Sequence, residues 1–172
     1  MVGKKIFLFL FLLLFSFFSV KSQEFIGIGP SAIYNIQSEG IGFGARVQIP
    51  VHKRLNIVPQ LNYFAPFNIV HEINAGLNIH YNLVIRRKLI GYLTGGGYFN
   101  YWFNADVSPM ENAKTINILP DVGVGMLFGK KCFRPFLEQR YNPLFMEGSF
   151  HIGFLWFPGC SSGRSYTCPA YN

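Results

Sequence analysis

A chain of 172 residues with 13% charged side chains and half its residues hydrophobic has room for one domain of ordinary size. Its basic excess is smaller than it looks: fifteen Lys and Arg, less Lys4, Lys5 and Lys21 near the N-terminus, leave twelve against eight acidic residues, a net charge of +4. Those charges lie in short turns far apart in sequence, and nucleic acid is excluded as an expected partner because phosphate recognition gathers cations on one patch.

Met1 to Lys5 is short and basic, and Ile6 to Val20 is an apolar run broken only by Ser16 and Ser19. This is too short for a comfortable spanning helix and suits the core of a signal peptide, with Val20 and Ser22 fitting the small-residue cleavage rule. The expected division is therefore residues 1–22 as signal peptide, 23–157 as a β-barrel and 158–172 as a Cys-containing tail. No Cys follows the apolar core, so a lipid-anchored N-terminus is not expected.

The first strand is read from Phe25 to Tyr34 with weak alternation. The second, Ile41 to Val51, puts Ile41, Phe43, Ala45, Val47, Ile49 and Val51 on one face and Gly42, Gly44, Arg46, Gln48 and Pro50 on the other, the period-two signature of a strand with one apolar side. After His52-Lys53-Arg54, Leu55, Ile57, Pro59, Leu61 and Tyr63 oppose Asn56, Val58, Gln60 and Asn62. The fourth strand sets Ile73, Ala75, Leu77, Ile79 and Tyr81 against Glu72, Asn74, Gly76, Asn78 and His80. Asn82 to Lys88 reads as a turn, and the fifth strand, Leu89 to about Tyr101, has no clear facing through Gly95-Gly96-Gly97.

Beyond the connection from Trp102 to Lys114, the sixth strand carries Ile116, Ile118, Pro120, Val122, Val124, Met126 and Phe128 opposite Asn117, Asp121, Gly123 and Gly125. The seventh, Phe133 to Tyr141, puts Glu138 and Arg140 on one face. Pro143 to Glu147 reads as a loop, and the eighth strand sets Phe150, Ile152, Phe154 and Trp156 against Ser149, His151, Gly153 and Leu155 before Pro158-Gly159.

Eight tilted strands of roughly ten residues need about 80 residues, which fits an antiparallel up-and-down transmembrane β-barrel. A secreted lipocalin-like binding barrel has the same alternation with the apolar face inside. Apolar-outside is favoured because the other face is rich in Gly and carries Arg46, Glu72, Asp121, Glu138 and Arg140, the material of an interior polar network. Tyr63, Tyr81, Phe128, Tyr141 and Trp156 near strand ends would form interfacial girdles. The turns after the second, fourth and sixth strands hold Lys53, Arg54, Arg86, Arg87, Lys88, Lys130 and Lys131 and no acidic residue, while the opposite loops hold Glu39, Asp106, Glu111 and Glu147 with Lys114 alone against them. With both termini periplasmic the basic turns face the periplasm, where each cation gains roughly 1 kcal/mol beside an anionic leaflet.

In these features, over about residues 25 to 157, the chain resembles the small outer-membrane β-barrel proteins of Gram-negative bacteria. The leader ending before Gln23 and the Gly- and aromatic-rich hairpins are similar to the porin-like barrels common in Bacteroidota. The resemblance implies the fold and the outer membrane, and no catalytic residues. Such barrels end on the last strand's aromatic, here Trp156 or Phe157, whereas this chain continues to Asn172.

His71-Glu72 with Ser38, Ser108 or Ser149 is the material of a lipid A-modifying enzyme, but no spacing supports a pair, and Glu72 is better read as a partner of Arg46 or Arg140. His80 and His151 read as core residues, and neither a metal site nor a cofactor is expected. An eight-stranded lumen is filled by its own side chains, so an open diffusion pore is not expected. The reading is a structural or interaction barrel bathed in outer-membrane lipid, an accessory subunit beside a larger outer-membrane or periplasmic protein. In the tail, a local Cys160–Cys168 loop is favoured over Cys132 with Cys160, which barrel order brings to the same end.

Overall fold

A computed structural model describes residues 26–65, 71–86, 88–103, 114–129 and 132–158. Its strands are β1 (Gly27–Asn35), β2 (Ile41–His52), β3 (Leu55–Phe64), β4 (Glu72–Arg86), β5 (Leu89–Trp102), β6 (Ile116–Phe128), β7 (Phe133–Asn142) and β8 (Glu147–Trp156). Each pairs antiparallel with the next, and β8 returns to β1, with Ile28 opposite Trp156 and Tyr34 opposite Phe150. The sheet is closed, so no strand is left without a neighbour on either side along its main span.

The sequence dictates which face turns inward. Phe43, Leu61, Leu77, Phe99, Ile118, Val124 and Ile152 all point outward and are exposed, forming an apolar belt around the cylinder. Arg46, Asn56, Gln60, Asn78, His80, Asp121, Glu138 and Arg140 point inward and are buried. A soluble binding barrel would carry the reverse arrangement, so the lipocalin alternative is corrected by the facing itself. Among the described residues no helix is long and apolar enough to cross a membrane, which says nothing about crossing by strands.

Sequence alternation left β1 weak and β5 open. In β1, Gly27, Gly29, Ser31, Ile33 and Asn35 face the lumen. In β5 the inward set is Ile90, Tyr92, Thr94, Tyr98, Asn100 and Trp102, while Leu93, Phe99 and Tyr101 face out. Two boundaries move. β4 runs on to Arg86 instead of turning at Asn82, through a register shift between Asn82 and Val84. β8 begins at Glu147 instead of Ser149, because Asn142 pairs with Glu147 and Tyr141 with Gly148 across a tight turn. Residues 1–25, which include the expected signal peptide, residues 66–70 and 104–113, Arg87, Lys130, Lys131 and residues 159–172 lie outside the described residues.

Candidate functional site

The lumen is built in three layers. Its middle is a cluster of four formal charges centred on Glu138, with Arg46 on β2, Asp121 on β6 and Glu138 and Arg140 on β7. Arg46 Nη1 donates to Glu138 Oε1, and Arg140 Nε donates to Glu138 Oε2 at 2.8 Å. Arg140 Nη1 also reaches Asp121 Oδ2 at 3.0 Å and the Tyr98 hydroxyl. Neutral donors complete both carboxylates: Tyr92 hydroxyl to Glu138 at 2.6 Å and Asn78 Nδ2 to Asp121 at 2.8 Å. Gln60 donates to the Tyr98 hydroxyl at 2.5 Å, the Arg46 guanidinium lies 4.0 Å over the Phe136 ring, and His80 stacks on Tyr92 at 4.5 Å.

Two cations and two anions leave this layer formally neutral, and Arg46, Glu138 and Arg140 are all 2% exposed or less. Desolvating such charges costs several kcal/mol each, which the ion pairs and hydrogen bonds of the cluster offset in part; Arg46 Nε and Nη2 meet no hydrogen-bond partner among the described residues. Glycine makes the room: a Cβ at Gly125 would fall 2.5 Å from the Tyr92 ring and 2.7 Å from Glu138.

Toward the end where the chain enters and leaves, Ile90, Tyr92, Leu127, Phe136, Leu155 and Phe157 form an apolar plug, with the Arg134 guanidinium 4.9 Å over Phe157. Toward the opposite end a polar vestibule of about 60 Å³ opens between Glu72, Glu147, Asn62, Asn74, Trp102 and Phe145.

Glu72 belongs to this rim and not to the charge cluster. It is the first residue of β4, opposite Phe64 and Trp102, a full half-strand from Arg46, which pairs with Gln60 and Gly29. Its carboxylate accepts from Asn100 Nδ2 at 2.7 Å, which corrects the expected partnership with either arginine. His71 Nδ1 lies 3.2 Å from the Tyr63 hydroxyl, and Ser108 lies outside the described residues. A Ser–His pair among the described residues is Ser149 with His151 Nε2, at 3.1 Å; two same-face residues of one strand announce nothing in sequence beyond their spacing. It faces the lumen.

The aromatics expected as girdles divide between the two ends. Tyr63 and Tyr141 lie at the vestibule end with Tyr34 and Tyr101, and Phe128 and Trp156 lie at the termini end with Phe133; Tyr81 sits on the same side, before β4's final residues. All face outward. Phe133 packs against Phe154 and Trp156 at 5.8 and 6.5 Å between centroids. Lys53, Arg54, Arg86 and Lys88 are exposed at the termini end, whereas Arg87, Lys130 and Lys131 are outside the described residues. Phe157 N–H donates to the Cys132 carbonyl at 2.9 Å; Cys160 and Cys168 fall outside, and with them the disulfide pairing.

Among the described residues no group of His, Cys, Asp and Glu is arranged to hold a metal ion. No family model and no curated protein sequence matches the chain. Solved structures do match. The N-terminal β-barrel domain of Pseudomonas aeruginosa OprF superposes with a TM-score of 0.61 at 12% identity, over 78% of this chain and 97% of that one. The fold is that of the small outer-membrane barrels. Neisserial surface protein A gives a TM-score of 0.56 at 12% identity over 78% and 94%, and the outer membrane enzyme PagL gives 0.52 at 10% identity over 76% and 97%. These identities carry the fold alone.

Proposed function

We propose that the protein is an integral outer-membrane barrel of a Gram-negative bacterium, with both termini periplasmic, that acts as an accessory subunit of an outer-membrane assembly and neither conducts solutes nor catalyses. The observation that carries this reading is the lumen: the cluster around Glu138 and the apolar cluster around Phe136 fill it with buried side chains, which supports a role for the molecule's surface. The outward apolar belt with aromatics toward both ends supports immersion in lipid. The exposed Lys53, Arg54, Arg86 and Lys88 on the termini side support the orientation, since cations gain beside an anionic leaflet. Assignment to Bacteroidota rests on the sequence pattern.

A lipid-modifying enzyme is the weaker reading because Ser149 and His151 line the narrow vestibule on the lumen side of the wall, His151 at 4% exposure, and not the outward apolar belt. Affinity purification of the chain from native membranes tests the proposal. A stoichiometric outer-membrane or periplasmic partner supports it; a barrel that comes out alone and deacylates or acylates lipid A contradicts it.

A further inference from the structure

The β4–β5 hairpin outreaches its neighbour. β3 stops pairing with β4 at Leu55 opposite Tyr81, followed by one last bond from Asn82 N–H to the Arg54 carbonyl at 2.8 Å. β4 then continues through Leu83, Val84, Ile85 and Arg86, held on its other side by Gly91, Ile90 and Leu89. Among the described residues nothing pairs with the β3-facing side of residues 83–86. Four residues at about 3.4 Å each give a free edge of about 14 Å.

That edge is apolar and wet. Leu83, Val84 and Ile85 are 52%, 45% and 36% exposed, and they follow Tyr81 of the termini-side girdle. With strands tilted by about 40°, Ile73 to Tyr81 already spans about 20 Å of an apolar band about 25 Å tall, so residues 83–86 lie at or past the interface. Unpaired N–H and C=O groups beside exposed aliphatic side chains are a template for strand addition.

The surrounding charge selects the occupant. Lys53, Arg54, Arg86 and Lys88 flank the edge, and among the described residues no acidic side chain lies at this end of the barrel. Two copies meeting edge to edge would bring these cations against each other, which is how natural edges resist self-pairing. We infer that the free edge of residues 83–86 takes up an acidic, extended segment of a periplasmic protein as an added strand. This builds on the interaction role proposed above and gives it a surface.

The probe is a fluorescein-labelled peptide of about ten residues alternating Glu and Val, added to the purified, folded full-length barrel and read by anisotropy. Binding is expected, and Arg86→Glu/Lys88→Glu is expected to weaken it at least about tenfold, with heat-modifiable migration showing that the variant barrel still folds. N-methylation of alternate peptide amides, which keeps charge and side chains but removes strand hydrogen bonds, is expected to weaken it by a similar factor. Equal binding of the methylated peptide overturns strand addition. Abolition of peptide binding on moving the barrel into phosphatidylglycerol nanodiscs assigns the basic edge to the lipid leaflet and overturns the proposal, as does a concentration-dependent dimer lost in the double variant. Absence of peptide binding beside a stoichiometric native partner overturns this edge while leaving the interaction role standing.

Discussion

Glu138 is the residue on which the interior turns, since one carboxylate meets two guanidinium groups and a phenol at the middle of the lumen. Glu138→Gln leaves Arg46 buried without its counter-charge and Arg140 with Asp121 alone, so it is expected to cost about 3 to 5 kcal/mol in urea unfolding of the lipid-embedded barrel. Glu72→Gln at the rim gives up only bonds to neutral donors such as Asn100 and is expected to cost about 1 kcal/mol. Equal losses at the two positions would contradict the layered interior. Adding Arg46→Met to Glu138→Gln is expected to recover part of the loss, because the two groups are in contact and their effects do not add; strictly additive losses would remove the coupling. Alternation alone places Arg46, Asp121, Glu138 and Arg140 inward. Tyr92 and Tyr98 were not legible as their partners, because Gly95, Gly96 and Gly97 between them give neither face an identity.

At the scale of strands, depth decides cost. Val124, near the middle of β6 and 53% exposed, and Ile116, its first residue, face the same outward side. Arg at position 124 meets the centre of the apolar belt, at a cost of about 2 to 4 kcal/mol, while Arg at 116 reaches the interface at about 0 to 1. Comparing the folding free energies of Val124→Arg and Ile116→Arg in lipid checks this, and equal costs would contradict a depth-graded lipid contact. The strands whose apolar faces alternate cleanly, β2, β3, β4 and β6, were readable from sequence to within a few residues. The end of β4 was not: the bulge at Asn82 to Val84 resets the alternation, Leu83-Val84-Ile85 has no period of two, and Arg86 with Lys88 looks like a turn. Glu72 misled for a related reason, since its face was legible but its height along the barrel depends on register, which only the pairing with Phe64 and Trp102 fixes.

For the whole molecule, closure has a simple consequence. A barrel with paired seams and a filled lumen resists detergent when cold, so the protein is expected to migrate faster unheated than boiled in denaturing gels; a single band under both conditions would contradict a closed barrel. The claim beneath all the others is that the apolar face meets lipid. Nitroxide labels at Ile118, Val122, Val124 and Met126, introduced singly into a chain with its cysteines replaced by Ser and reconstituted in bilayers, test it through collisions with oxygen and with a water-soluble nickel chelate. The account predicts oxygen contact highest and nickel contact lowest at Val122 and Val124, falling off toward Ile118 and Met126. Nickel contact that is uniformly high along β6 would contradict it.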